Sequence, residues 1–146
     1  MRIRPFRRGD AKTVVSLVRA LARYEKLMPP SPAAGRRLVR DVGKRVEVLL
    51  AEEGGVPVGY AIYLFTYSSF LARPTLFLED LFVLPEHRGK GVGRAFFDAL
   101  IRKARRAGCG RMEWFVLDWN KPAIRFYKKL GAKPLSDWIT YRIGLS

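Results

Sequence analysis

The stretch from Leu76 to Ala104 constrains the fold of this chain most strongly, because its apolar pattern changes at a cluster of glycines. Residues 76–84 form a nearly continuous apolar run that carries two adjacent acids, Glu79 and Asp80. Such a run is typical of a buried strand, whereas apolar residues recur at helical spacing towards the end of the stretch. Residues 88–93, with the sequence RGKGVG, separate the two patterns. The sequence therefore predicts a strand, a glycine-rich turn and a helix.

A glycine-rich turn before a helix predicts a binding place for phosphate. Glycines let the backbone approach a ligand closely, and the start of a helix offers unpaired N–H groups and the positive end of its dipole. The spacing here is R-x-x-G-x-G, which differs from the dinucleotide-binding fingerprint and from the P-loop. An ordinary strand-to-helix turn that uses glycine only for its geometry is the alternative.

Length and composition bound the class of protein. A chain of 146 residues is long enough for one domain with a real core, which we expect to span residues 1–146. No apolar run is long enough to cross a membrane, and no secretory leader pattern is present. The single cysteine, Cys109, favours a reducing, cytoplasmic location. The net charge of +15 favours anionic partners, although solubility alone is the plain alternative.

The rest of the chain predicts strands alternating with helices. Gly54 and Gly55 lie between two apolar runs and give a clear hairpin signal. Asp10 and Asn120 are expected to begin helices, because short polar side chains cap helix starts. We expect an α/β fold with a mixed central sheet and helices on both faces. The predicted strands cover residues 2–6, 45–52, 56–65, 76–84, 111–117 and 138–143.

Residues 118–127, with the sequence DWNKPAIRFY, form a second informative stretch. Asn120 and Tyr127 are seven residues apart, so they lie near one face of the same helix, about two turns apart. Tyr127 can supply a proton at the end of a slot. The alternatives are that Asn120 is only a helix cap and that Tyr127 is a core aromatic residue with a satisfied hydroxyl.

Together, R-x-x-G-x-G and the later W-N-x-P-A-x-x-F-Y-x-x-x-G-A resemble the acetyl-CoA motifs of the GCN5-related N-acetyltransferases, the GNAT superfamily. Tyr24-Glu25, residues 61–67 and residues 78–83 further resemble the diamine/polyamine (spermidine/spermine) N-acetyltransferase subfamily. The resemblance covers nearly the whole chain. It implies the acyl-CoA N-acyltransferase fold with a mixed, mostly antiparallel central sheet, acetyl-CoA as co-substrate without a metal, and a homodimer.

The resemblance also implies roles for individual residues. Tyr127 would be the general acid at the thioester sulfur, and Glu79 would lie at the amine end as the catalytic carboxylate. The substrate channel would be lined by Tyr24, Glu25, Glu79, Trp119 and Asp137. The residues implied to bind the cofactor are Leu81, Phe82, Val83, Arg88, Gly89, Lys90, Gly91, Val92, Gly93, Arg94, Asn120, Lys121, Pro122, Ala123 and Tyr127.

Amine acetylation needs a proton acceptor. An amine with a pKa of about 10 is protonated at neutral pH, and freeing its lone pair costs on the order of 4 kcal/mol. A carboxylate must take that proton, directly or through water, and Glu79 is our candidate. Strand alternation places Glu79 and Asp80 on opposite faces unless a bulge intervenes. Either acid could instead pair with one of the many arginines. Cys109 needs no role in this reaction, and His87 is interpreted as a turn residue or phosphate neighbour.

The acceptor amine stays open at this stage. The loop sequence Ser68-Ser69-Phe70 stands where the polyamine enzymes that this chain resembles have an aspartate and a tryptophan. A protein of charge +15 would also repel a polycation at long range. A small monoamine, an amino-acid side-chain amine and a protein amine are alternatives. A basic nucleic-acid-binding or coenzyme A-sensing domain is a further alternative, although no nucleic-acid-binding motif supports it.

Overall fold

The computed structural model describes residues 1–145 and contains a five-stranded sheet whose spatial order follows the chain. Neighbouring strands pair antiparallel except the last two, which pair parallel. The expected α/β fold with a mixed, mostly antiparallel sheet is confirmed. The elements are β1 (Arg2–Pro5), α1 (Ala11–Tyr24), α2 (Pro32–Asp41), β2 (Glu47–Glu53), β3 (Val56–Ser68), β4 (Arg73–Val83), α3 (Val92–Arg106), β5 (Arg111–Trp114) and α4 (Lys121–Lys129).

Contacts divide the chain into two units, the first of which is Met1–Phe115. It contains the whole sheet, with α1 and α2 on one face and α3 on the other. Buried residues of α1, including Val14 and Leu17, form a cluster with Tyr60, Ile62 and Phe82 of the sheet. The expectation of helices on both faces is therefore confirmed within this unit.

A glycine in β3, Gly59, allows this strand to pack closely against β4 and α3. A Cβ atom at Gly59 would lie 2.7 Å from the carbonyl oxygen of Phe82 and 3.4 Å from the ring of Phe96 in α3. A larger residue at position 59 would therefore push β3 away from β4 or from α3, because interiors are close-packed. Residues 59, 61 and 63 of β3 alternate onto this face, whereas Tyr60 and Ile62 point to α1.

The hairpin between β2 and β3 is confirmed. Gly54 and Gly55 both have positive φ angles, 56° and 79°, which is the backbone shape of a two-residue type I′ turn. The connection between the strands predicted over 56–65 and 76–84 is shorter than expected, since β3 continues to Ser68 and β4 begins at Arg73. Pairing across the sheet, which a single strand's pattern does not reveal, extends both strands.

A buried ion-pair network joins β1 to the start of α1. The Arg4 guanidinium donates to both carboxylate oxygens of Asp10, at 2.8 and 2.9 Å, and to Glu52 at 2.7 Å. Asp10 lies at the N-cap position of α1 as expected, but its carboxylate accepts hydrogen bonds from Arg4 and from the Arg7 N–H, and it caps no amide of α1. These bonds hold the pKa of Asp10 below its usual range.

The second unit begins at Val116. In it, α4 follows Asn120, carries Pro122 in its first turn, and is followed by Gly131 with a φ of 87°. These features confirm the predicted helix. The predicted strand over 138–143 is wrong, and β5 ends at Trp114 rather than at residue 117. An alternating pattern shows which face of a strand would be buried, but it does not show which strand would pair with it. Among residues 1–145, no strand pairs with residues 115–117 or 138–143.

None of the helices in residues 1–145 combines the length and the apolar character that crossing a membrane requires.

Candidate active site

The glycine-rich turn leaves the start of α3 open for an anion. Gly91 occupies the N-cap position with a φ of 85°, Gly89 has a φ of 75°, and no side chain caps the helix. Added Cβ atoms at both glycines would meet nothing within 4 Å. The positive φ angles, rather than lack of space, are the reason these positions favour glycine. The first amides of α3 therefore point outward beside the exposed side chains of Lys90 and Arg94.

Next to this turn, β4 has an open edge. β5 pairs with Thr75–Leu78 and stops there, so within residues 1–145 no strand covers the following part of β4 on that side. On its other side, β4 stays paired with β3 through Val83. Leu81, Phe82 and Val83 lie in the uncovered part. Their backbone groups that face away from β3 are open to an extended ligand, apart from the Val83 carbonyl, which accepts a hydrogen bond from Arg88.

A β-bulge lies at Glu79, where pairing with β5 ends. Leu78 pairs with Tyr63 and Asp80 pairs with Ile62, so Glu79 is an extra residue in β4 with no opposite partner. Its side chain is exposed. Strand alternation alone would fix the faces of Glu79 and Asp80 unless a bulge intervened, and such a bulge is present. The bulge therefore changes the face of the sheet to which each acid points.

Asp80 is the acid held by the fold. The hydroxyl of Tyr60, which is fully buried, donates a hydrogen bond of 2.9 Å to the Asp80 carboxylate. Burial raises the pKa of Asp80 to about 6, helped by the negative charges of Glu79 and Glu25, while the Tyr60 hydrogen bond opposes the rise. A carboxyl group with a pKa near neutrality can both accept and release a proton at working pH.

The C-terminal end of α1 packs against the end of β4. The Tyr24 ring lies 6.4 Å from the Phe82 ring, and burial raises the pKa of Glu25. The Arg88 guanidinium carbon lies 4.8 Å from the centre of the Tyr24 ring, and the Arg88 Nε donates to the Val83 carbonyl at 2.8 Å. Arg88 was expected among the cofactor-binding residues, and its side chain here braces α1 against the end of β4.

His87 lies just before the glycine-rich turn, as the sequence indicated. Its Nδ1 atom is 3.0 Å from a carboxylate oxygen of Glu53 at the end of β2. This contact ties the turn to the β2–β3 hairpin and gives His87 a structural partner.

In the second unit, the Asn120 side chain accepts a hydrogen bond from the Ala123 N–H at 3.3 Å, so its capping role is present. Tyr127 is half-buried on α4, with its ring 5.7 Å from that of Phe126. Trp119 is exposed just before the helix, and Asp137 is exposed in a turn beyond it. The site roles expected for these four residues stay predictions.

The first unit brings together most of the other expected residues. The turn, the open edge of β4 and three residues expected to line the substrate channel, Tyr24, Glu25 and Glu79, all lie in this unit. Sequence reasoning missed Tyr60, because a tyrosine in an apolar strand gives no sign of the acid across the sheet. Within residues 1–145, no group of three or more side chains is arranged to hold a metal ion.

Comparisons with known proteins bear on the family and on the fold. The sequence profile of the acetyltransferase (GNAT) family matches residues 13–132. A thialysine N-epsilon-acetyltransferase of Mus musculus is 34% identical over 97% of this chain and 91% of its own length. A human spermidine/spermine N(1)-acetyltransferase-like protein 1 is 30% identical over 96% of this chain, which corresponds to 22% of that protein. The crystal structure of a possible acetyltransferase from Clostridium difficile 630 shares the fold, with a TM-score of 0.86, 17% identity and coverage of 99% and 97% of the two chains.

Proposed function

This chain belongs to the acetyltransferase (GNAT) family and is an N-acetyltransferase, and from that premise we propose that it acetylates a primary amine of a small amino acid or polyamine-like molecule. The observation that carries the proposal is the open edge of β4 beside the uncapped start of α3. A strand edge and a helix start together suit a long ligand that ends in a diphosphate.

The residues of the first unit fit acetyl-CoA. Amides from Gly89 to Arg94 hold the diphosphate, with the positive charges of Lys90 and Arg94 beside it. Backbone groups of Leu81, Phe82 and Val83 bond the pantetheine arm and orient the thioester carbonyl. Acetyl-CoA supplies an activated acetyl group, so the protein needs no covalent intermediate of its own. The remaining proposed contacts are those of Asn120, Lys121, Pro122 and Ala123 with the pantetheine arm.

The acceptor amine is held by acids at the end of α1 and in β4. Glu25, Glu79 and Asp80 place negative charge where a protonated amine must approach, and Tyr24 supplies an aromatic wall. One carboxylate of this group takes the amine proton, and Tyr127 protonates the departing sulfur. Trp119 and Asp137 are proposed to complete the acceptor channel.

Among amines, the side-chain amine of a cationic amino acid is the acceptor that we favour. The mouse relative is named for thialysine, an amino acid with a side-chain amine. The net charge of +15 disfavours the approach of a polycation more than that of a singly charged molecule. A protein or peptide amine is the alternative acceptor within the same reaction class.

The test is a thiol-release assay with purified protein, acetyl-CoA and a panel of amines. We expect turnover with thialysine, lysine or ornithine, weaker turnover with spermidine, and acetylated product by mass spectrometry. A chain that releases no coenzyme A with any amine, yet binds acetyl-CoA by calorimetry, would contradict the proposed activity and favour a coenzyme A-sensing domain.

We also propose that the protein acts as a homodimer in the cytoplasm. Trp138, Ile139, Tyr141 and Ile143 are between 76% and 88% exposed, and a second copy of the chain is the simplest cover for such a run. The single Cys109 suits a reducing compartment. Light scattering should give twice the mass of 16.7 kDa, and truncation of the chain after Asp137 should return the monomer mass. A monomer before truncation would rule out the dimer.

A further inference from the structure

The bulge at Glu79 reverses the alternation of side chains along β4. Before it, Leu78 pairs with Tyr63, which shares the α3 face of β3 with Gly59. After it, Asp80 pairs with Ile62, and Phe82 pairs with Tyr60, both of which belong to the cluster against α1. Without the extra residue, Asp80 and Leu78 would share one face. The bulge therefore turns Asp80 towards the end of α1, where Tyr24 and Glu25 lie.

Asp80 is also the acid whose position is fixed. The buried Tyr60 hydroxyl holds its carboxylate at 2.9 Å from the opposite strand. The charged groups that act on it are Glu25 from the end of α1 and Glu79 from its own strand, while the Arg88 guanidinium lies over the rings of Tyr24 and Phe82. Glu79 is exposed and has no partner residue across the bulge. A proton acceptor must be held in place relative to the reacting atoms, and only Asp80 meets that condition.

We propose that Asp80, held in place by Tyr60, takes the proton from the acceptor amine, and that Glu79 attracts the cationic substrate instead. The proposal deepens the acetyltransferase function proposed above and rests on it. Asp80 directly precedes the uncovered backbone of Leu81–Val83, where the thioester is proposed to lie. Tyr60 is a positioning residue in this scheme, because it acts through Asp80.

The proton balance of the step is simple. The ammonium group of the acceptor gives one proton to the Asp80 carboxylate, directly or through one water, and becomes a neutral amine. The amine nitrogen then forms a C–N bond to the acetyl carbonyl carbon, and the C–S bond breaks with its electron pair on sulfur. The sulfur takes a proton from Tyr127, which regains one from the acylated nitrogen. Asp80 finally returns its proton to solvent.

The first test compares amide variants of the two acids. Asp80→Asn should lower kcat at pH 7 by about 100- to 10,000-fold, the usual loss when a general base is removed. Glu79→Gln should raise the KM for the amine while the acidic limb of the kcat/KM profile stays in place. Asp41→Asn, a carboxylate change in α2, is the matched control and should leave both parameters unchanged.

A weakly basic acceptor separates proton acceptance from substrate binding. An amine with a pKa below the assay pH already has a free lone pair and needs no base. Asp80→Asn should therefore approach wild-type kcat with such an amine, or with ordinary amines at high pH. An Asp80→Asn variant that changes only KM, or a Glu79→Gln variant that loses the acidic limb, would overturn the assignment.

Tyr60→Phe tests the positioning role. The hydroxyl lowers the pKa of the carboxyl that it bonds, so its loss should move the acidic limb of kcat/KM to higher pH. A purely structural role would lower activity at all pH values without moving the limb, and that result would contradict the proposal for Tyr60. If wild-type protein acetylates no amine, the proposed function fails; if it does but the variants respond otherwise, only this inference fails.

Discussion

At the scale of single residues, the site depends on which polar groups the fold keeps in fixed positions. Tyr60 and Asp80 are joined across two strands, Arg88 is fixed over two aromatic rings, and Glu79 is left exposed. A fixed group can transfer a proton efficiently, whereas an exposed one mainly contributes charge. Tyr127 and Asp80 are the two groups to which we assign proton transfer.

Removal of the Tyr127 hydroxyl should affect chemistry more than binding. We expect Tyr127→Phe to lower kcat by about 100- to 10,000-fold, because the leaving sulfur loses its proton donor. The affinity for acetyl-CoA, measured by calorimetry, should change by less than about threefold. Equal losses in turnover and affinity would show that the residue serves binding rather than proton transfer.

Asp80 should make the protein less stable as pH rises. Its pKa is raised to about 6 in the folded state from 3.8, so the folded state binds more protons between these values. Stability from this group is therefore present below about pH 4 and is lost as pH rises towards about 6 and above. Asp80→Asn should be about 1–3 kcal/mol more stable than wild type at pH 7.5. Urea unfolding at pH 4 and 7.5 should show this difference shrinking at the lower pH.

At the scale of elements, two junctions position the site. The glycine-rich turn sets where α3 begins, and the Arg4 network ties β1 and β2 to the start of α1, whose far end carries Tyr24 and Glu25. The glycine-rich turn requires a residue that adopts a positive φ angle. The Arg4 network requires that its buried charges stay paired.

Gly91→Ala should weaken acetyl-CoA binding. The φ of 85° lies in the left-handed region, where an alanine costs about 1–2 kcal/mol. We expect the turn of the variant to relieve this strain by adopting another conformation. We expect the Kd for acetyl-CoA to rise on the order of tenfold. Gly108→Ala is the control, because its φ is also positive, at 76°, and it follows the far end of α3. It should lower Tm similarly but leave Kd unchanged, and equal effects on Kd would contradict a local role for Gly91.

Arg4→Met should destabilise the first unit strongly. It leaves the carboxylate of Asp10 buried without its partner, at a cost of about 3–5 kcal/mol. Arg2→Met removes an arginine that pairs with the same Glu52 but is 59% exposed, and it should cost under about 1 kcal/mol. Thermal unfolding measures both variants. Because the pKa of Asp10 is lowered, the stabilisation lost in Arg4→Met should be full near neutral pH and disappear as pH falls through the folded-state pKa of Asp10.

At the scale of the whole molecule, charge is the dominant feature. A net charge of +15 on 146 residues attracts polyanions from a distance, and coenzyme A is one. The same field slows the approach of multiply charged cations, which is consistent with an acceptor of low charge. The basic surface thus acts on the two substrates in opposite directions.

The association rate of acetyl-CoA should therefore fall steeply with salt. We expect on the order of a tenfold decrease between low ionic strength and 0.5 M salt in stopped-flow measurements, as steering is screened. An uncharged short thioester of N-acetylcysteamine is the control, and its rate should barely change. Similar salt dependence for both compounds would show that long-range charge is not responsible.

The sequence by itself determined the features whose causes are local. The hairpin at Gly54-Gly55, the turn at Gly89 and Gly91 and the start of α4 at Asn120 follow from backbone angles and caps within a few residues. Only the tertiary structure decided the bulge at Glu79, the pairing of Tyr60 with Asp80 and the end of β5, since each depends on a strand distant in the chain. The predicted strand over 138–143 failed for the same reason, because alternation is local but pairing is not.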